Sequence, residues 1–540
     1  MTSKRAGLDS WGCSVMPVLT RLTLCLTALL LWSAQAVEAR TLRWARQGDV
    51  LTLDPHGQNN SPTHNFNGHI YEGLFFRGQD GKLSPLLAVS WKITTDPSVW
   101  EFKLRPNVKF HDGSPLTADD VVYSFERSRL PTSDIKGNLA SVETITKVDD
   151  LTVQIKTKGA NPILPELLVT QFIMSKAWCE KNNAGKPQDY KKNEENYAVL
   201  HANGTGPFEL VSREIDVKTV LKRNDNYWGK TEWPTPITEI IFTPIKSDAT
   251  RIAALLSGEI DFVHDVPVQD IERLKNTPNM RVTAGAENRG IFLGFNVGAP
   301  ELKSSEIRGK NPFADKVVRK AMNLAINRDA IQRVVMRGQS VPAGLVISQF
   351  VNGWSKDLDT YPKADPAAAK KMLVDAGYPN GFSVTLHCPN DRYINDEAVC
   401  QAVVGQLAQI GVRVSLVGQS QSLHFPLLLK RETDFYMLGW GPVSYDSENP
   451  FAWLYHTQTD KLGGYNATRY SNTEVDSLTE SLSSEPDLAK RNATIRKLWE
   501  ILKEETVYIP LHSQMLAHGM KSDIDMPVHP DNAPFFKFLK

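Results

Sequence analysis

The residues best suited to chemistry in this chain include His111, which is followed directly by Asp112 and Gly113. An imidazole beside a carboxylate could exchange a proton in acid–base catalysis. Asp-Gly is also a common turn dipeptide, and this segment leads towards Thr117, where a helix is expected to begin. We therefore expect a turn at His111, and no catalytic role for it.

The evidence for any other catalytic or metal-binding site is weak. His64 and His69 are not spaced to share one face of a helix, so we expect loop histidines and no metal site. The sequence lacks the nucleophile elbow G-x-S-x-G, the phosphate loop, the dinucleotide fingerprint, H-E-x-x-H and C-x-x-C. The familiar enzyme classes therefore have no support, and we expect neither an enzyme nor a cofactor.

Whether the cysteines can form disulfides depends on the compartment in which the chain works. Cys179, Cys388 and Cys400 lie beyond the N-terminal region. Export to an oxidising compartment permits disulfides, and Cys388 and Cys400 lie close enough in the sequence to pair, which would leave Cys179 free. The sequence does not decide whether this bond forms, because pairing depends on geometry.

Residues 1–39 have the pattern of a secretory signal peptide. Basic residues precede a short apolar run, residues 22–32, and the small residues of Val37-Glu38-Ala39 then suit a cleavage site. Ala34-Gln35-Ala36 is a second cleavage choice, and either Met1 or Met16 could be the true start. The alternative is an N-terminal membrane anchor, although the apolar run is shorter than the roughly 20 residues that span a bilayer.

The pattern of the remaining chain predicts a globular protein with alternating strands and helices. The 61 basic and 61 acidic residues balance, which argues against a general nucleic-acid binder. Trp100 to Phe110 alternate like a hairpin, and strands are also expected at 260–263 and 412–417. Capping residues, glycines and apolar periodicity predict helices, which we place at residues 117–127, 248–256, 315–327, 329–337, 365–377 and 396–410. Helices between short strands indicate an α/β protein with mixed sheets.

Several segments together resemble one protein family. They occur in the family's order over nearly all of the chain after residue 39: TLDPH at 52–56, YEGLF at 71–75, LRPNVKFHDGSPLTADDV at 104–121, GTGPF at 204–208, RNDNYW at 223–228 and VRKAMNLAINR at 318–328. The chain thus resembles the periplasmic solute-binding proteins of ABC importers, of the dipeptide- and oligopeptide-binding type known as extracellular solute-binding protein family 5.

The resemblance implies a two-lobe periplasmic-binding-protein fold with an extra sub-domain in the first lobe. The first lobe would comprise residues 40–287 plus 512–540, with the sub-domain at about 77–203. The second lobe would comprise residues 291–509. The chain would cross between them near 288–290 and 510–512, and these hinges would absorb the backbone change when the lobes close over a ligand.

The resemblance also implies a set of ligand-binding residues. Arg392 lies where dipeptide binders carry the arginine that grips a carboxylate, a group that a guanidinium fits well. Alternatively, Arg392 is a surface residue that pairs with Asp391 or Asp396. Asn60 and Ser61 belong to an early loop that lines the ligand in this family.

The loop after Gly439-Trp440 departs from the peptide binders. Val443 stands where they carry an aspartate that pairs with the peptide amine, and Asp446 could replace that aspartate. Trp440 and Tyr445 could stack on the ligand, or could belong to the core of the lobe.

The implied function is the extracytoplasmic binding component of an ABC importer. A small peptide or peptide-like solute would be captured by lobe closure and delivered to the transmembrane subunits of the permease. The alternative solutes are an opine-like amino-acid derivative, an oligosaccharide or a metal chelate; an exported hydrolase or a chaperone are rival classes. We expect a periplasmic monomer that binds no nucleic acid.

Overall fold

The computed structural model describes residues 40–189, 192 and 194–539, with the side chain of Ser422 excepted. The expected signal peptide, residues 1–39, lies outside the described residues. Among those that are described, no helix combines the length and the apolar character needed to cross a membrane.

The strands of the described part form three sheets. Seventeen strands are present, and their bounds in chain order are β1 Arg40–Arg46, β2 Phe75–Arg77, β3 Leu83–Pro85, β4 Ala88–Ile93, β5 Val99–Leu104, β6 Val142–Asp149, β7 Thr152–Thr157, β8 Phe208–Glu214, β9 Lys218–Arg223, β10 Ile237–Pro244, β11 Phe262–Val263, β12 Met280–Phe295, β13 Ser340–Pro342, β14 Phe382–Pro389, β15 Val412–Gln419, β16 Phe435–Trp440 and β17 Tyr508–Lys521.

The largest sheet consists of two groups of strands joined by two long ones. Its order is β15-β14-β16-β12-β17-β11-β1-β10-β9-β8, and β13 also pairs with β17. The long strands β12 and β17 run antiparallel beside each other, and their register shifts between Ala286 and Gly290 and again between Ile291 and Phe292. Within the sheet, the two groups are therefore joined through this irregular strand pair.

A separate sheet of four strands lies early in the chain. Its order is β4-β5-β7-β6, and its apolar face packs with Val121 and Phe125. The hairpin predicted from Trp100 to Phe110 is wrong, because β5 pairs with β4 and β7. Residues 108–110 instead fold back on 114–116, around the turn expected at His111.

The helices follow the sequence prediction closely where capping residues mark them. Their bounds are α1 Ser61–Asn67, α2 Ala118–Ser128, α3 Leu164–Leu167, α4 Lys176–Lys181, α5 Asp248–Ser257, α6 Ile271–Lys275, α7 Lys316–Ala325, α8 Arg328–Ala330, α9 Pro366–Asp375, α10 Asp396–Ala408, α11 Gln421–Leu429, α12 Glu448–Pro450, α13 Thr473–Leu482 and α14 Leu488–Glu505. Single π-helical turns continue α8 and α12, over Ile331–Val335 and Phe451–Tyr455. Short 3-10 turns lie at Lys136–Leu139, Tyr197–Val199, Pro312–Ala314 and Phe536–Phe538. The predicted mixed α/β class is confirmed.

The histidines and cysteines have structural roles. His64 lies in α1, so the expectation of a loop histidine is wrong for this residue, whereas His69 lies in the turn after α1; both side chains are buried. His111 is hydrogen bonded to the backbone of Gly206 at 3.0 Å. Cys388 and Cys400 form a disulfide that joins β14 to α10, and Cys179 is a free, buried thiol.

Candidate functional site

A cavity of about 790 Å³ lies between the two groups of strands of the large sheet. Its walls come from four parts of the chain: residues 46–65, 248–289, 390–421 and 514–532. A smaller cavity of about 140 Å³ shares six residues with it, namely Asn59, Ser61, Asn65, Glu287, Arg289 and Asp531. By contrast, a cavity of about 330 Å³ is lined only by residues within 320–510 and shares no residue with the 790 Å³ cavity.

Parallel strands explain why these segments converge. β1 runs parallel to β11, with Ala45 opposite Val263, so Arg46 and His264 come at the carboxyl ends of this pair. β14 runs parallel to β15 and β16, and residues 390–392 follow its carboxyl end. In open α/β sheets ligands bind beyond the carboxyl ends of parallel strands. Both ends open on the 790 Å³ cavity, which is therefore the candidate ligand site.

Arg392 lies on the wall of this cavity, and its side chain is exposed. Its backbone N–H donates to Asp396 at 3.0 Å, and its guanidinium lies 5.2 Å from the ring of Tyr393. No ion pair of this guanidinium is found within the described part of the chain. Asp391, the other partner considered, accepts the backbone N–H of Gln421 at 2.7 Å. The guanidinium thus faces the cavity without a carboxylate partner.

Asn60 and Ser61 line the same cavity from the start of α1. The Asn60 side chain caps this helix and accepts the backbone N–H of Thr63 at 3.3 Å. The structure therefore brings three of the predicted site residues, Asn60, Ser61 and Arg392, to one cavity.

Trp440 and Tyr445 do not line the 790 Å³ cavity. The Trp440 indole donates to Asn449 at 2.9 Å and packs edge-on against Tyr465. The Tyr445 ring is buried beneath the guanidinium of Arg77, and its hydroxyl donates to Asp531. Both aromatic rings are therefore engaged by protein groups, which corresponds to the alternative of a packing role.

Asp446 is also engaged by the protein. It is buried, and each of its carboxylate oxygens accepts an N–H of Arg491 at 2.7 Å. Asn352 donates to it as well, at 2.9 Å. The predicted replacement of the missing amine-pairing aspartate by Asp446 is therefore without support, since its charge is already neutralised. Val443 is 61% exposed and lines only the smaller cavity.

Three charged residues at the cavity were missed by the sequence analysis. Arg46 is buried, and its Nε and Nη1 atoms have no hydrogen-bond partner. Arg289 is bonded to Glu287 at 3.0 Å, and Asp531 lines both cavities. Only the position of Arg46, at the end of a strand-like run from residue 40, could have pointed to it from the sequence.

The charges around the cavity are of both signs and only partly paired. Arg251 pairs with Asp248 at 2.6 Å, as Arg289 does with Glu287. Arg46 and Arg392 have no carboxylate within ion-pair distance among the described residues, and Asp265, Asp391 and Asp531 have no lysine or arginine partner there. Burial raises the pKa of Asp265, but His264 and Arg46 outweigh this and hold the pKa below its usual value. Such a cavity suits a ligand that itself carries both charges.

One cluster of side chains beside the cavity has ligand types that metals prefer. Atoms of His264, Asp265 and His518 lie within 4.8 Å of one another. Asn532 already bridges them, since its Oδ1 lies 2.6 Å from His264 and its Nδ2 donates to Asp265 at 2.9 Å. Burial lowers the pKa of His518 to about 3, so its imidazole is neutral. The cluster is internally bonded, and Asp265 and Asn532 form its part of the cavity wall.

Comparison with known families identifies the class of protein. Residues 82–461 match the bacterial extracellular solute-binding proteins, family 5 Middle. The chain belongs to this family. Family 5 proteins are the binding components of ABC importers, as the sequence predicted. The glutathione-binding protein GsiB of Escherichia coli (strain K12) is 27% identical over 509 residues, which cover 92% of this chain and 93% of that protein. GsiB of Pectobacterium atrosepticum is 27% identical over 474 residues, 84% of this chain and 87% of that one.

Solved structures of two-lobed binding proteins share the fold. The substrate-binding protein CtaP of Listeria monocytogenes superposes with a TM-score of 0.81 at 21% identity, over 93% of this chain and 99% of that one. HbpA2 from Haemophilus parasuis gives a TM-score of 0.78 at 24% identity, over 93% and 99% of the two chains. The predicted two-lobe fold is confirmed.

Proposed function

We propose that this protein captures a zwitterionic, peptide-like solute of the glutathione class and delivers it to the transmembrane subunits of an ABC permease. The observation that carries the proposal is the 790 Å³ cavity, where unpaired cationic and anionic side chains face each other. An unmatched buried charge is costly, so the preferred ligand is one whose carboxylates and amine complete these pairs.

The charge pattern also argues against an oligosaccharide, one of the other solutes considered. An oligosaccharide carries no charge, and it would leave Arg392 and Asp531 unpaired on closure. The aromatic rings suited to stacking on a sugar, those of Trp440 and Tyr445, are engaged elsewhere. The 27% identity to proteins named for glutathione binding supports the same choice.

Within the site we assign Arg392 to a ligand carboxylate, with Asn60 and Ser61 on another wall. A guanidinium pairs well with a carboxylate, and none of the described residues already occupies that of Arg392. We assign the amine to Asp531, because Val443 and Asp446 are unsuited and Asp531 lines both cavities.

Closure would occur about the paired strands β12 and β17. The predicted crossings, 288–290 and 510–512, lie beside each other where the register of these strands shifts. A side chain at Gly290 would collide with the backbone carbonyl of Val346, so the close contact there requires glycine. Lobes of residues 40–287 plus 512–540 and 291–509 would then rotate as two bodies about this point.

We further propose that the chain acts in the periplasm as a monomer, after removal of residues 1–39, and returns its ligand chemically unchanged. The disulfide between Cys388 and Cys400 is consistent with an oxidising compartment. The relatives named above are binding proteins, which supports a binding role and not an enzymatic one.

Isothermal titration calorimetry against glutathione, Ala-Ala-Ala and maltotriose tests the proposal. Saturable binding of glutathione, with the ligand recovered intact afterwards, is expected. Binding of maltotriose alone, or turnover of the ligand, would overturn it.

A further inference from the structure

Arg46 is the last residue of β1 and lines the 790 Å³ cavity. Its side chain is 9% exposed, and its Nε and Nη1 atoms have no hydrogen-bond partner. Asp265 interacts with it electrostatically, but the carboxylate of Asp265 accepts its hydrogen bond from Asn532. The guanidinium therefore has a weak counter-charge and free donors.

Other buried arginines of the described chain are better satisfied: Arg328 has no carboxylate partner, but its Nε donates to the carbonyl of Pro510 at 2.7 Å. Arg127 is paired with Asp54 at 2.7 Å, and Arg491 with Asp446 at 2.7 Å. On the same strand as Arg46, Arg43 is paired with Asp261 at 2.7 Å. An arginine stays protonated in proteins, so a buried guanidinium without hydrogen bonds is unfavourable unless a ligand completes its bonds.

We propose that Arg46 binds a second anionic group of the ligand, so that the natural solute carries two acidic groups, one held by Arg46 and one by Arg392. The two arginines come from different lobes and from the carboxyl ends of different parallel strands, β1 and β14. A ligand that bridges them would connect the lobes and thereby favour closure. The proposal rests on the proposed function only for the peptide-like nature of the ligand.

Calorimetry with three variants tests this assignment. Arg46→Met keeps the aliphatic stem and removes the charge, while Arg46→Lys keeps a charge without the planar fork. Arg273→Met is the control, because Arg273 is 62% exposed and does not line the cavity. The probes are glutathione, its glycine monoethyl ester, Ala-Ala-Ala and citrate, and circular dichroism checks that each variant is folded.

For glutathione we expect R46M to lose at least about tenfold in affinity, R46K to lose less, and R273M to match the wild type. Ala-Ala-Ala, with one carboxylate, should bind R46M and wild type equally. If no peptide binds but citrate does, and R46M weakens it, the proposed function fails while the role of Arg46 stands. Equal affinity of R46M and wild type for any diacid that binds would overturn the role of Arg46. Absence of binding by all four probes would overturn both proposals.

Discussion

The guanidinium of Arg77 lies 3.7 Å above the ring of Tyr445, and the proposed lobe bounds place these two residues in opposite lobes. The hydroxyl of Tyr445 donates to Asp531, while Arg77 is held by Glu166 at 2.7 Å. With the lobe bounds proposed above, Tyr445 makes two contacts across the cleft, and both require the lobes to be together. It connects the lobes without lining the ligand cavity.

Substitution of Tyr445 should weaken ligand binding through the closure equilibrium. Tyr445→Phe loses the hydroxyl and keeps the ring, whereas Tyr445→Ala also loses a cation–π contact of about 0.5–2 kcal/mol. We expect affinity to fall in the order wild type, Y445F, Y445A when measured by calorimetry. If Y445A bound as tightly as wild type, this contact would have no part in closure.

Arg392→Ala should lower the affinity for a ligand with a free carboxylate. Loss of a hydrogen bond between charged groups costs about 1.5–3 kcal/mol, which corresponds to roughly 10- to 150-fold. Arg413→Ala is the matched control, because Arg413 is exposed and pairs with Glu306 away from the cavity. An R392A variant that binds like R413A would remove Arg392 from the site.

Asp446→Asn should destabilise the fold and leave ligand selectivity unchanged. It leaves the buried guanidinium of Arg491 without its counter-charge, a change that costs about 3–5 kcal/mol. Urea unfolding would show this loss, and Asp375→Asn at an exposed pair should change stability by less than about 1 kcal/mol. A D446N protein with normal stability and no binding would restore Asp446 as a ligand residue.

Lowering the pH should destabilise the protein at pH values well above those at which most carboxylates titrate. Burial lowers the pKa of six histidines to about 3 or 4, namely His56, His64, His69, His424, His512 and His518. The unfolded chain binds these protons near pH 6.5 and the folded chain does not, so stability falls as the pH drops from about 6.5 towards 4.

Glu448 acts in the opposite direction, as do Asp396 and Glu166, whose pKa burial also raises. Burial raises the pKa of Glu448 to about 7, so its protonation in the fold favours the native state as the pH falls. Six histidines outweigh these carboxylates, and the urea midpoint should be lower at pH 5 than at pH 7. His512→Leu should flatten this dependence, because neither ring nitrogen of His512 has a partner. Identical midpoints at both values of pH, in wild type and variant alike, would contradict this account.

The helices could be predicted because their capping residues lie close to them in the sequence. The pairing of the strands could not, because it depends on residues that are distant in the sequence. Thr117, Ser247 and Asp365 cap α2, α5 and α9 within a few residues of sequence, so their positions could be found. The strands that pair with β5 lie at residues 88–93 and 152–157, and no local pattern around Trp100 predicts them.

The same distinction applies to the site. Arg392 could be proposed from the sequence, because the resemblance places it where dipeptide binders carry an arginine. The role of Asp446 depends on Arg491, and that of Tyr445 on Arg77, both of which are remote in sequence. The unsatisfied donors of Arg46 depend on its burial, which the sequence does not show.

Small-angle X-ray scattering with and without glutathione tests the central claim most directly. Two lobes that close over a bound solute should give a smaller radius of gyration with the ligand than without it, and a Y445A variant should need more ligand for the same change. Superimposable profiles at a ligand concentration that calorimetry shows to be saturating would contradict the account.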